Sequence, residues 1–137
     1  MAATHGVNRA GRLSLSATKF GGTAQVTEPQ CIVVLCTCPE GDAAGQIART
    51  LVEEGLAACV NRLPGVVSNF SWQGRVEEEQ EILLLIKSTE ARLAALSARI
   101  KALHPYELPE VVAVPVSGGL AGYLDWVRSS VAGASGS

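Results

Sequence analysis

A chain of 137 residues has room for one domain with a real core and not for two. Its 47% hydrophobic content and mean hydropathy of +0.24 exclude a disordered polymer, and a formal net charge of −2 with a pI near 5.7 lacks the basic footprint that nucleic acid selects. The longest apolar runs, residues 31–36 and 82–86, fall far short of the ~20 residues a membrane helix needs, so a soluble protein is expected, neither pump nor channel.

Residues 1–30 differ from all that follows. They are rich in Ala, Gly, Ser and Thr, carry Arg9, Arg12 and Lys19, and hold one acidic residue, Glu28. Residues 31–137 contain the other eight basic and twelve acidic residues and so carry −4. A basic, hydroxyl-rich, acid-poor leader is similar to an organellar transit peptide, which would send the chain to a chloroplast or mitochondrion. A disordered extension explains it equally well, with the cytoplasm then expected. The leader lacks the apolar core of a secretory signal. Residues 31–130 read as the folded domain, and residues 131–137 as a fraying tail of small side chains.

Cys31 to Cys36 predicts a first strand without alternation, apolar on both faces. Pro39 and Gly41 end it. Asp42 is placed to cap a helix carrying Ala44, Ile47, Ala48, Leu51 and Val52 at helical spacing, and Gly55 sits where a C′ glycine closes one. Residues 56–88 then read as one long β-hairpin. Val66, Ser68, Phe70 and Trp72 share one side of its first arm, and Gln73-Gly74 supplies the turn. The second arm opens with a charged run, residues 75–81, and finishes apolar through residues 82–86. A ribbon wet at the tip and dry at the base projects from the body, where a partner subunit can reach it. Trp72 is expected to meet its own sheet or a neighbouring chain.

Ser88 or Thr89 is placed to cap a second helix with a stripe of Leu93, Leu96, Ile100 and Leu103, stopped by Pro105. A fourth strand through Val111 to Val114 lies between Pro109 and Pro115, which marks it as a sheet edge. A short third helix carries Leu120, Tyr123, Leu124 and Val127 on one side. The order is α+β, a ferredoxin-like βαββαβ sandwich with a long β2–β3 hairpin and an extra C-terminal helix. In that topology the first and third strands are central, and these are the two that read as continuous apolar runs.

The four cysteines, Cys31, Cys36, Cys38 and Cys59, form no CxxC pair and no disulfide framework, which suits a reduced setting. With only His5 and His104 available, a four-ligand structural zinc site within one chain is not expected. Two stretches could carry chemistry: Cys36-Thr37-Cys38-Pro39-Glu40 ending the first strand, and His104-Pro105-Tyr106-Glu107-Leu108-Pro109 leaving the second helix. Thiolate and imidazole together suit soft or borderline cations, copper foremost. In an extended strand Cys36 and Cys38 point the same way. The plainer alternatives stand beside this reading: cysteines as small core side chains, His104 as a cation at a helix C-terminus, and Tyr106-Glu107 as a stiff connector.

Several separate pieces, VVLCTCPE, LAACVNRLPGV, SWQGRVEEEQEILLLIK, HPYELPEVVAVPV and YLDW, closely resemble in order and spacing the CutA divalent-cation-tolerance family. The resemblance covers residues 31 to about 130. It implies a tight homotrimer with hairpins wrapping neighbours, binding of copper or other divalent cations, and a link to metal tolerance. It carries one proposed copper ligand onto Cys36 and another onto His104. A second family histidine falls on Leu103, so that ligand is absent, with Cys38 as a replacement thiolate. Cys59 is a further conspicuous thiol, and Lys87, Tyr106 and Glu107 match residues of the family's intersubunit cleft.

The leading expectation is therefore a trimeric copper- or divalent-cation-binding protein that is not a catalyst, with Tyr106 and Glu107 orienting its ligands. The alternative is a signalling trimer of the nitrogen-regulator type, binding a small metabolite in its cleft through Lys87 and Arg62. An acylphosphatase-like enzyme would need a cationic cradle after the first strand, and residues 37–42 contain no Arg or Lys.

Overall fold

The computed structural model of the chain describes residues 28–133; the leader through residue 27 and the tail from residue 134 lie outside the described residues. In chain order come β1 (Cys31–Pro39), α1 (Ala43–Glu53), β2 (Cys59–Trp72), β3 (Arg75–Thr89), a 3₁₀ turn (Glu90–Arg92), α2 (Leu93–Leu103), β4 (Val112–Pro115) and α3 (Ala121–Ala132). The sheet order is β2-β3-β1-β4, antiparallel throughout. Both expected central strands are central, and the proline-bracketed strand is an edge. This is the ferredoxin-like sandwich the patterning predicts.

The even-numbered residues of β1 and β3 face the helices. Ile32, Val34, Cys36, Cys38, Leu84 and Ile86 pack with Ile47 and Leu51 of α1 and Leu96 and Ile100 of α2 as the main core. Each large aliphatic side chain so buried contributes ~1.5–3 kcal/mol, and this layer therefore dominates the stability. The odd-numbered residues face the other way. Only one end of that second face is covered, where Val127 and Val131 of α3 meet Cys31 and Ala58. Val33, Leu35, Leu83 and Leu85 are half-buried, and Leu63, Val112 and Val114 are 39%, 50% and 45% exposed. The expected burial of both faces of β1 and β3 is thus met on one face only within a single chain.

The chain leaves α1 through a Schellman turn. Gly55 N–H donates to the Val52 carbonyl and Leu56 N–H to the Leu51 carbonyl, at 3.1 and 2.9 Å. Gly55 stands at φ +71°, where a side chain is strained, and Leu56 buries itself beside Leu51. At the hairpin tip Gln73 and Gly74 both take positive φ, 53° and 80°, the pairing that matches strand twist. The arm is less regular than alternation alone suggests. Its register shifts between Leu63 and Val66, at Pro64-Gly65, so the strand changes parity where proline leaves the ladder.

Two expected helix caps need correction. Asp42 occupies the cap position of α1 but makes no side-chain cap bond, because its backbone is already helical (φ −85°, ψ −16°). Ser88 and Thr89 both belong to β3, a 3₁₀ turn intervenes, and Arg92 precedes α2. The Ser88 hydroxyl instead donates to the buried Leu56 carbonyl at 2.7 Å, joining β3 to the turn between α1 and β2.

Candidate metal site

The first strand delivers two sulfurs to one place. Cys36 and Cys38 stand two residues apart in extended backbone, opposite Leu84 and Ile82 of β3, and both are fully buried on the helix side of the sheet. Across from them α2 ends. The residue before Pro105 is barred from helical backbone, so His104 turns extended (φ −77°, ψ 139°) and carries its ring back over the strand. The donor atoms of Cys36, Cys38 and His104 all lie within 4.8 Å of one another. Among the described residues these three form the one such cluster of potential ligands.

The ring of His104 is held at both nitrogens. Nδ1 accepts the Tyr106 N–H at 3.0 Å, which leaves Nε2 to carry the proton and donate to the Thr37 carbonyl at 2.8 Å. The Tyr106 ring lies 4.7 Å from the imidazole, centroid to centroid, and its hydroxyl donates to Glu81 at 2.7 Å. Burial, and then the hydrogen bond to the Glu81 carboxylate, push the Tyr106 phenol above its ordinary value. The two thiols are coupled. The hydrogen bond to Cys38, reinforced by burial, pushes Cys36 up and holds it protonated, and the same bond draws Cys38 down.

Glu81 was not legible as a site residue. It closes the charged run at the hairpin's second arm, yet it is 5% exposed. The available signal was its place one step from the apolar run 82–86. Glu107 is exposed, so the carboxylate that meets Tyr106 is Glu81.

The remaining candidates lie elsewhere. Cys59 pairs with Lys87 on the opposite face of the sheet, near Tyr123 of α3, and Lys87 binds Asn61. Leu103 packs against the main core. Trp72 stands at the hairpin tip, 50% exposed. Arg62 points to the helix side, where it and Arg49 line a cavity of about 430 Å³ with Gly45, Gln46 and Thr50.

Comparison with known proteins is decisive about descent. The sequence profile of the family described as "CutA1 divalent ion tolerance protein" matches residues 32–130. The chain belongs to the CutA1 family. Its similarity is 53% identity over 98 residues to "Divalent-cation tolerance protein CutA" of Thermus thermophilus, covering 72% of this chain and 95% of that protein. It is 42% identical over 118 residues to "Protein CutA 1, chloroplastic" of Oryza sativa, covering 86% of this chain and 66% of that one. Among solved structures, CutA1 from Oryza sativa superposes with a TM-score of 0.74 at 42% identity, over 76% of this chain and 95% of the other. The CutA1 structure from Thermus thermophilus gives 0.73 at 51% identity, over 74% and 98%. CutA1 membership supports a place in metal tolerance, and no helix among the described residues is long and apolar enough to cross a membrane.

Proposed function

We propose that this CutA1 chain binds copper between β1 and the end of α2 and works in metal tolerance as a homotrimer, without catalysis. The observation that supports the metal is the convergence of Cys36, Cys38 and His104 within 4.8 Å in the protein interior. Two sulfurs and an imidazole are a donor set for soft and borderline ions, and copper is the best fit among these. The family histidine missing at Leu103 is answered by Cys38, which the strand period aims at the same point as Cys36. Tyr106 and Glu81 hold the segment over the cluster, the orienting task that outer hydrogen-bond partners perform around metals. Copper there would cross-link β1 to the α2–β4 connection.

The support for assembly is the second face of the sheet. Val33, Leu35, Leu83 and Leu85, with exposed Leu63, Val112 and Val114, make an apolar surface that one chain leaves largely uncovered. Phe70 and Trp72, 40% and 50% exposed, extend it along the hairpin. Copies of the same chain packed face to face would bury it.

The alternative is a small metabolite bound in an intersubunit cleft, to which Lys87 and Arg62 would contribute from opposite faces of the sheet.

Titration of reduced protein with copper, beside Cys36→Ser and His104→Ala, tests the metal reading. Wild-type protein is expected to gain ~2.7 kcal/mol of stability at a free metal concentration 100 times Kd. The Cys36→Ser protein is expected to lose that gain. Equal binding by all three proteins contradicts the site.

A further inference from the structure

We infer that this chain binds a small, hydroxylated, multiply charged organic anion, a phosphate ester or a polycarboxylate, in the cavity between α1 and the edge strand β2, held by Arg49 and Arg62. The site needs neither the metal nor a second chain, so the inference goes beyond the reading above.

The cavity, about 430 Å³, has two walls. Asp42, Gly45, Gln46, Arg49 and Thr50 recur at helical spacing, i, i+3, i+4, i+7 and i+8, and make one wall from the start of α1. This stripe lies beside the one that Ala44, Ile47, Ala48 and Leu51 bury in the core. The other wall is β2. Arg62 stands opposite Leu84, a core residue under the helices, and directly paired residues share a face of the sheet. The strand therefore sends the Arg62 side chain toward α1.

Gly45 shows where the head of Arg62 rests. It lies in the first turn of α1, in helical backbone, where alanine is the better helix former. A Cβ there would collide with the Arg62 guanidinium, so the missing side chain is what lets that group lie against the helix.

The charge at this place is unanswered. Residues 31–137 carry −4, and Arg75, Arg99 and Arg128 each meet a carboxylate. Arg49 and Arg62 have no ion pair or hydrogen bond among the described residues, although they face one cavity. A guanidinium fork matches an oxyanion two bonds at a time, and two forks suit a ligand with two or more charges. The Gln46 amide and Thr50 hydroxyl add neutral donors. No aromatic or aliphatic side chain lines the cavity, so nothing there would hold a nucleobase or an acyl chain. Asp42 lines it too and makes no cap bond with the helix. Its carboxylate accepts hydrogen bonds and repels anions, so the ligand that fits brings a hydroxyl to Asp42 and its charges to the arginines. A cavity of this size holds a small carbon skeleton as well as an acidic group.

The test is calorimetry on the full chain, reduced and metal-free, with glycerol phosphate, citrate and inorganic phosphate as probes. One of the two organic probes is expected to bind more tightly than inorganic phosphate, and which one it is assigns the ligand class. Added salt should weaken that binding. Arg49→Gln and Arg62→Gln should each weaken it at least about 10-fold, the loss of one charge-assisted bond. Asp42→Asn should narrow the preference over inorganic phosphate. Gly45→Ala displaces the Arg62 head and should also weaken binding about 10-fold, yet melt no lower than wild type without ligand, a split that general damage to the fold does not produce. All four variants should sediment as wild type does. The inference is overturned if no probe binds at about 10 mM, if inorganic phosphate binds as well as either organic probe, or if both arginine variants bind like wild type. A change of sedimentation in the arginine variants assigns Arg49 and Arg62 to a contact between copies of the chain and overturns it as well.

Discussion

The His104 Nε2 atom lies 2.8 Å from the carbonyl oxygen of Thr37, one residue along from each of the two buried thiols. That bond ties the end of α2 to the end of β1, and the Tyr106 N–H on Nδ1 fixes which nitrogen carries the proton. His104 is therefore expected in the Nε2–H tautomer, which ¹⁵N chemical shifts of the ring report directly. His104→Ala leaves a donor and an acceptor unpaired and should cost ~1–3 kcal/mol in denaturant unfolding.

Gly55 tests the turn that sets β2 on its path. At φ +71° it closes the Schellman motif and puts Leu56 into the core. A Cβ there meets no atom within 4 Å, so Gly55→Ala reports backbone strain without a clash. The expected loss is ~1–2 kcal/mol by thermal or denaturant unfolding, with the fold retained.

Between the helices, Glu54 accepts two bonds from Arg99, from Nε and Nη2, each at 2.9 Å. The hydrogen bonds from Arg99, more than its charge, hold the Glu54 carboxyl below its ordinary value. A carboxyl lowered in the folded state adds stability at a pH above its unfolded value, and that stability goes as pH falls through the folded value. The melting temperature of Glu54→Gln should therefore sit below wild type at neutral pH. The gap should narrow as pH falls below the ordinary Glu value of ~4.3 and through the lowered folded value.

The open face of the sheet makes its own prediction. Leu85 is central on it, between Leu35 of β1 and Asn61 of β2. Leu85→Glu should convert the proposed trimer to single chains in sedimentation velocity. By contrast Leu84→Ala, one residue away on the helix side, should cost ~2–5 kcal/mol of stability and leave the assembly state of the folded fraction unchanged.

What the sequence disclosed followed periodicity. Strand order, the central placement of β1 and β3, the Gln73-Gly74 turn and the shared direction of Cys36 and Cys38 all follow from spacing and from residues with narrow backbone preferences. The family resemblance was equally legible, because its motifs recur in order along the chain. What escaped depended on partners distant in sequence. Glu81 looks like the end of a solvated run until Tyr106 arrives from beyond α2. Ser88 looks like a cap until the Leu56 carbonyl, 32 residues earlier, claims its hydroxyl. Asp42 has the right side chain for a cap but the wrong backbone, a quantity that composition does not encode. The Pro64-Gly65 irregularity was visible as residue types, and its effect on register needed the opposing strand.

The central claim is that copies of this chain hide their sheet faces against one another, each holding one copper ion on the opposite, helix-covered side. Native mass spectrometry of the reduced full chain, given one equivalent of copper per chain, measures both halves at once. The account predicts a mass of three chains with three copper ions. A single-chain mass at micromolar concentration, or a trimer that remains metal-free, contradicts it.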